Sequence, residues 1–363
     1  MRIKNKFHIV MLIVFAALVA TSCRKDKNSY DEIGESGLTL RTENLRANLL
    51  PYEDKGVMLG QMYGTTEGIG WTGDSARSDL YEISGDMPAC IGFELAGIEK
   101  GNTINADSIS FKLIKRDIIS YFQRQGLVVL YWTAPDPGKN PLENGSKANT
   151  TLHEWTKKTA EYIGTLQNAY GIKVPIVLAL YPLDSQSWYS NISADDYKKL
   201  YTMTAEWMKD EGELTNAIFA FSNNDIDTDA EEFMNRCPIE IIDVVQLTYM
   251  PDKYEEYGTR LLHQARRIAD ISLAKMKAFG IKTGVKAMGN DPEFWTKNIV
   301  PVIENCRMSY MLLGRNHGDF KNGDFCVPYP GSESVSDFMK LYNNPRLLMM
   351  NKVNGLLVNH YKK

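Results

Sequence analysis

With 363 residues, 44% of them apolar and 24% charged, the chain is long enough to bury a large core. Its 41 Lys and Arg stand against 45 Asp and Glu, a formal net charge of −4, so no basic surface of the kind nucleic acid demands is implied. Five cysteines with no C-x-x-C spacing and no histidine neighbours leave the usual zinc signatures unsupported.

The first 22 residues read as a targeting segment. Arg2, Lys4 and Lys6 precede an apolar run over 7–20, and small residues then lead to Cys23. That run is shorter than a bilayer span. Cys23 after small residues resembles the lipobox of bacterial lipoproteins, which implies a lipid on Cys23 and contact with the membrane through that anchor only. The place implied is the bacterial cell envelope, at the outer membrane or cell surface. Residues 23–50 read as tether and lead-in, with a polar stretch over 24–37, and 51–363 as one folded domain. Cys90, Cys237, Cys306 and Cys326 read as scattered buried thiols, with disulfides as the alternative.

Eight strand-like apolar runs follow, over 57–62, 90–95, 127–132, 176–181, 217–222, 243–248, 283–288 and 308–313. Amphipathic helix patterns lie between several of them, over 107–125, 152–170, 254–279 and 291–305, and Ser193 with Asp196 three residues on marks a helix start. Alternating strands and helices imply parallel pairing. Eight units of this length favour an α/β fold of the closed (β/α)8 TIM-barrel kind, whose chemistry sits on the loops after the carboxyl ends of the strands.

Those strand ends are rich in aromatic and amide side chains. The first offers Gln61, Tyr63 and Trp71, with Asp79 further on; the third offers Trp132 and Thr133; the fourth offers Asp184, Ser185, Gln186, Trp188 and Tyr189. Tyr249 ends the sixth, Lys286 the seventh, and Arg315 and Asn316 the eighth. Such a mixture suits a sugar, which needs ring faces under its C–H groups and partners for its hydroxyls. Each aromatic ring also serves as plain packing, and Lys286 as one half of a rim ion pair. No metal-ligand cluster, phosphate loop or nucleophile elbow is present, so no cofactor is expected.

The order of GVMLGQ, RSDLYEISGDMPACIGFEL, LVVLYW, IVLALYP, AIFAFS, FWTKNIVPVIE, YMLLGRN and VPYPGSESVSDFMKLYNNP resembles glycoside hydrolase family 26, the endo-β-1,4-mannanase family, over residues 56–345. The resemblance implies a TIM barrel of retaining glycosidases and a β-mannan-type polysaccharide or oligosaccharide as ligand. Retaining hydrolysis needs two carboxyl groups about 5 Å apart. The family's acid/base is the Glu of a His-Glu pair after strand four, and its nucleophile is a Glu in a Thr-Glu-x-Gly setting at the end of strand seven. On this alignment the first position holds Ser185 and the second Ala287, and neither side chain does that chemistry.

The expectation is therefore a lipid-anchored pseudoenzyme whose cleft binds mannan-type glycan through Trp132, Asp184, Gln186, Trp188, Tyr189, Tyr249, Arg315 and Asn316. The first alternative is an active glycosidase with a relocated carboxylate pair, with Asp184 as the candidate. The second is a scaffold for partner proteins with a vestigial cleft.

Overall fold

The structure, a computed structural model, describes residues 32–74, 77–252 and 255–358. The leader, Cys23 and the start of the tether lie outside the described residues.

Eight parallel strands form a closed barrel: β1 Val57–Met62, β2 Cys90–Glu94, β3 Leu127–Trp132, β4 Ile176–Leu180, β5 Ala217–Asn223, β6 Val244–Tyr249, β7 Ala278–Thr283 and β8 Tyr310–Leu313. Each pairs with the next, and β8 returns to β1 through Met58 opposite Tyr310 and Gln61 opposite Leu313. The principal helices are α1 Leu40–Tyr52, α2 Asp79–Ser84, α3 Phe111–Gln123, α4 Lys147–Gly164, α5 Ala194–Asp210, α6 Ala230–Asn235, α7 Tyr257–Ala274, α8 Val300–Asn305 and α9 Val335–Tyr342. Ser110, Ser146 and Ser193 each accept a backbone N–H at a helix start, so orphaned donors there are satisfied by side chains.

Residues 40–50, expected in the lead-in, belong to the folded body as most of α1. This helix crosses the amino-terminal ends of the strands. Thr39 N donates to Thr215 O just before β5, and Leu49 O accepts from the Ser309 hydroxyl just before β8. Glu53, at the end of α1, takes the Phe279 N–H of β7 at 2.9 Å. The helix is the floor of the barrel, and the open mouth is at the other end.

The seventh strand stands five residues earlier than the apolar pattern predicts. The helix expected to run to residue 279 ends at Ala274, and Met276 turns the chain at φ 56°. Gly280, in mid-strand, weakens the strand signal, yet it is required there, because a Cβ would collide with the Tyr310 ring. Residues 284–288 are loop and turn. The helix expected over 291–305 is α-helical only over Val300–Asn305, after a π-helical turn at Trp295–Ile299. All four remaining cysteines are free and buried.

Candidate functional site at the barrel mouth

The hydroxyls of Tyr131 on β3 and Tyr310 on β8 both donate to Gln246 Oε1 on β6, at 2.7 and 2.9 Å. Bonds between strands this far apart in the sheet run through the barrel interior, so they identify the inward residues. Alternation along each strand then assigns the rest. Glu94 pairs with Tyr131, and Lys282 with Thr248, whose hydroxyl lies 3.3 Å from Gln246 Nε2. The upper interior is thus polar, with Glu94, Tyr131, Thr248 and Lys282 facing the mouth.

Lys282 Nζ lies 4.1 Å from the centre of the Tyr131 ring, a cation–π contact. No carboxylate stands within 4.0 Å of it among the described residues. Burial pulls its pKa below the ordinary lysine value, opposed by the charges of Glu94, Asp107 and Asp184. Glu94 is moved up by burial, opposed first by hydrogen bonds from Thr133. Its Oε1 accepts the N–H groups of Leu95, Ala96 and Thr133 at 2.8 to 3.0 Å, and its Oε2 the Thr133 hydroxyl at 2.7 Å. Four donors hold this carboxylate in one orientation.

The loop after β4 starts under strain, since Tyr181 sits at φ 49°, costly for a bulky side chain. It is held by its own hydroxyl on Thr204 and by the Tyr197 hydroxyl on its carbonyl. Ser185 and Gln186 are exposed beyond it. Asp184 spends its carboxylate locally: Oδ1 accepts from Gln186 N and Ser187 N, and Oδ2 from the Ser187 hydroxyl, at 2.6 to 2.7 Å. Trp188 is half-buried and donates Nε1 to Ala134 O at 3.0 Å, so one part of its ring remains open to a ligand.

Four expected contacts are corrected by their positions. Trp132 follows the inward Tyr131 and so points outward. It has no exposed surface and donates to Glu99, so it is no sugar platform. Tyr249 also points outward, buried against Tyr257 at 5.1 Å. Tyr189 is fully buried, its hydroxyl on Pro182 O. Asn316 is fully buried and structural, joining Asp79 Oδ2 at 2.7 Å to both polar groups of Val327. Arg315 stays at the rim, its guanidinium on Glu67 and Asp107 O. Lys286 is an exposed rim cation paired with Asp324 at 3.3 Å.

Ala287 is corrected as well. It lies four residues past the end of β7, exposed, before the turn Met288–Asn290. The inward side chain at the carboxyl end of β7 is Lys282, missed because strand seven was read too late. A usable signal was present: Ile281-Lys282-Thr283-Gly284 keeps the spacing of Thr-Glu-x-Gly, with Lys in place of Glu.

The family model for Glycosyl hydrolase family 26 matches residues 36–280. A mannan endo-1,4-beta-mannosidase of Bifidobacterium adolescentis is 22% identical over 335 residues. That match covers 81% of this chain and 33% of the relative, so the chain spans about a third of that protein's length. Among solved structures, a GH26 beta-mannanase from Bacteroides ovatus superposes with a TM-score of 0.83 at 27% identity, covering 90% of this chain and 99% of that one. A modular endo-beta-1,4-mannanase from Cellulomonas fimi gives 0.76 at 21% identity, covering 91% and 79%, a likeness of fold.

Proposed function

Because the chain belongs to glycosyl hydrolase family 26, we propose that its barrel mouth binds a β-mannan-type polysaccharide and does not hydrolyse it by the retaining route. The observation that carries this reading is Lys282, an amine at the inward end of β7, where the family's strand-seven nucleophile is expected. A retaining nucleophile must attack the anomeric carbon. The transition state gathers positive charge at that carbon. An ammonium in that place opposes the developing positive charge by Coulomb repulsion and offers no electron pair to the carbon. Ser185, at the expected acid/base position, has no acidic proton to give near neutral pH.

A glycan is the ligand supported by the mouth's polar lining of Glu94, Thr248 and Lys282 and by the open edge of Trp188 beside it. Anchoring through Cys23 at the cell envelope completes the proposal and rests on the sequence. The second reading, relocated catalysis, has one observation in its favour: Glu94 faces the mouth with its pKa raised by burial, as a general acid requires.

The test is calorimetry with mannan oligosaccharides alongside a reducing-end assay on the same preparation. Binding without release of reducing ends is expected. Absence of binding to every mannan oligosaccharide removes the proposal, and turnover abolished by Glu94→Gln replaces it with the second reading.

A further inference from the structure

Lys282 and Glu94 face the mouth with one reactive atom each still available. Lys282 Nζ rests on the Tyr131 ring at 4.1 Å and, among the described residues, has neither an ion-pair partner nor a hydrogen-bond acceptor. Its side chain is only half-buried and Nζ is not one of the sealed polar atoms of the interior, so a molecule entering the mouth reaches it. Glu94 is half-buried as well and pairs across the sheet with the same Tyr131. Three backbone N–H groups occupy its Oε1, whereas Oε2 has only the Thr133 hydroxyl at 2.7 Å. Oε2 is therefore the oxygen left to carry a proton.

A lysine desolvated against an aromatic face gives up its proton more readily than one in water, and the free amine is a nucleophile toward carbonyl carbon. The acids whose charges reach Lys282 are Glu94, Asp107 and Asp184. They repel an anionic ligand and leave a neutral carbonyl unopposed. The free amine adds its electron pair to an aldehyde carbon, the C–O π pair moves to oxygen, and a proton passes from nitrogen to that oxygen to give a carbinolamine. A proton from Glu94 Oε2 then converts the hydroxyl into water, which leaves as the nitrogen pair closes the C=N bond. The products are water, a Glu94 carboxylate and an iminium on Lys282. That cation lies where the ammonium lies now, over the Tyr131 ring and beside the new carboxylate.

We propose that Lys282 and Glu94 are a carbonyl-capturing pair: the amine condenses with the aldehyde carbon of an open-chain sugar, and Glu94 supplies the proton that expels water. The choice of a sugar aldehyde rests on the glycan-binding reading of the mouth; the amine chemistry does not. The test incubates the full chain with glyceraldehyde and cyanoborohydride near neutral pH, and peptide mass spectrometry follows reductive labelling at each lysine. Lys282 should label at least about tenfold faster than Lys275, which is exposed just after α7. Lys282→Arg should remove the fast label alone. Glu94→Gln would speed capture if Glu94 acted through its charge only, by freeing more of the amine; as the proton donor its loss should slow capture about tenfold. Labelling of Lys282 no faster than Lys275, or capture unchanged or faster in Glu94→Gln, overturns the pair. Mannotriitol, a mannotriose whose aldehyde has been reduced, should bind in the mouth and slow the labelling. Fast labelling that mannotriitol does not slow would sink the glycan reading and leave the amine chemistry standing. Slow labelling in a chain that binds mannotriitol by calorimetry would do the reverse.

Discussion

Lys282 and Tyr131 meet inside the barrel mouth, ammonium over ring face at 4.1 Å, from strands on opposite sides of the barrel. The contact places a charged amine at the base of the cleft, and burial depresses its pKa. Of the surrounding charges, Glu94 does most to hold it up. Glu94→Gln keeps an acceptor for the three backbone N–H groups, the Thr133 hydroxyl turning to accept from the new amide. It should therefore lower the Lys282 pKa further without unfolding the chain. NMR titration of the Lys282 side chain in both proteins reads this directly, and an unchanged midpoint would separate the two groups.

On the proposed reading the same position also governs hydrolysis. Ser185→Glu together with Lys282→Glu should restore two carboxyl groups across the mouth and give measurable reducing-end release from mannan. Each single variant should remain inactive, since general acid–base assistance alone is worth ~10²–10⁴-fold and needs its partner group. A double variant as silent as its parents, though folded and still binding glycan, would show that these two positions do not face one bond.

Glu53 at the floor is 2% exposed, and burial raises its pKa despite hydrogen bonds from Phe279 N and Ser309 and the nearby Arg307. A folded-state pKa above the unfolded one means the folded chain holds this proton more tightly. The associated stability is then full below the ordinary glutamate value and is lost as pH rises through the raised value. Thermal midpoints of wild type and Glu53→Gln between pH 4 and pH 8 should diverge accordingly, with the wild type losing more ground on going up. Parallel curves would contradict the assignment.

Asp79 accepts from Ile69 N, Trp71 Nε1 and Asn316 Nδ2 at 2.7 to 3.0 Å. Asp79→Ala leaves three donors in a buried place without an acceptor, at about 1–3 kcal/mol for each group not reached by water. The urea midpoint should fall by the equivalent of about 3 kcal/mol or more. A loss under about 1 kcal/mol would mean that the strand-one loop relaxes freely.

Cys23 is tested separately. Cys23→Ala should move the chain from the membrane fraction of a bacterial host to the soluble fraction and abolish incorporation of labelled fatty acid. Retention in the membrane fraction would refute the anchor.

Much of the barrel was legible because apolar runs bounded by breakers mark strands covered on both faces. The run over 127–132 is β3 residue for residue. β7 slipped because its interior needs a glycine beneath Tyr310 and a lysine beside Tyr131, two residues that argue against a strand in isolation. The facing of Trp132 was hidden for a related reason: in a wholly apolar run nothing marks which residues point inward, and only the cross-barrel bond of Tyr131 fixes the parity. Partner identity was equally out of reach. Asp184 reads as a free acid in the sequence, yet its oxygens are consumed by the turn it builds.

The helix beneath the strands also bears on the anchoring proposed at Cys23. Thr39, just before α1, bonds to Thr215 at the underside of the barrel, so the proposed attachment would join the body at the end away from its opening. On that reading the tether would leave the receptive end unobstructed for a long polymer.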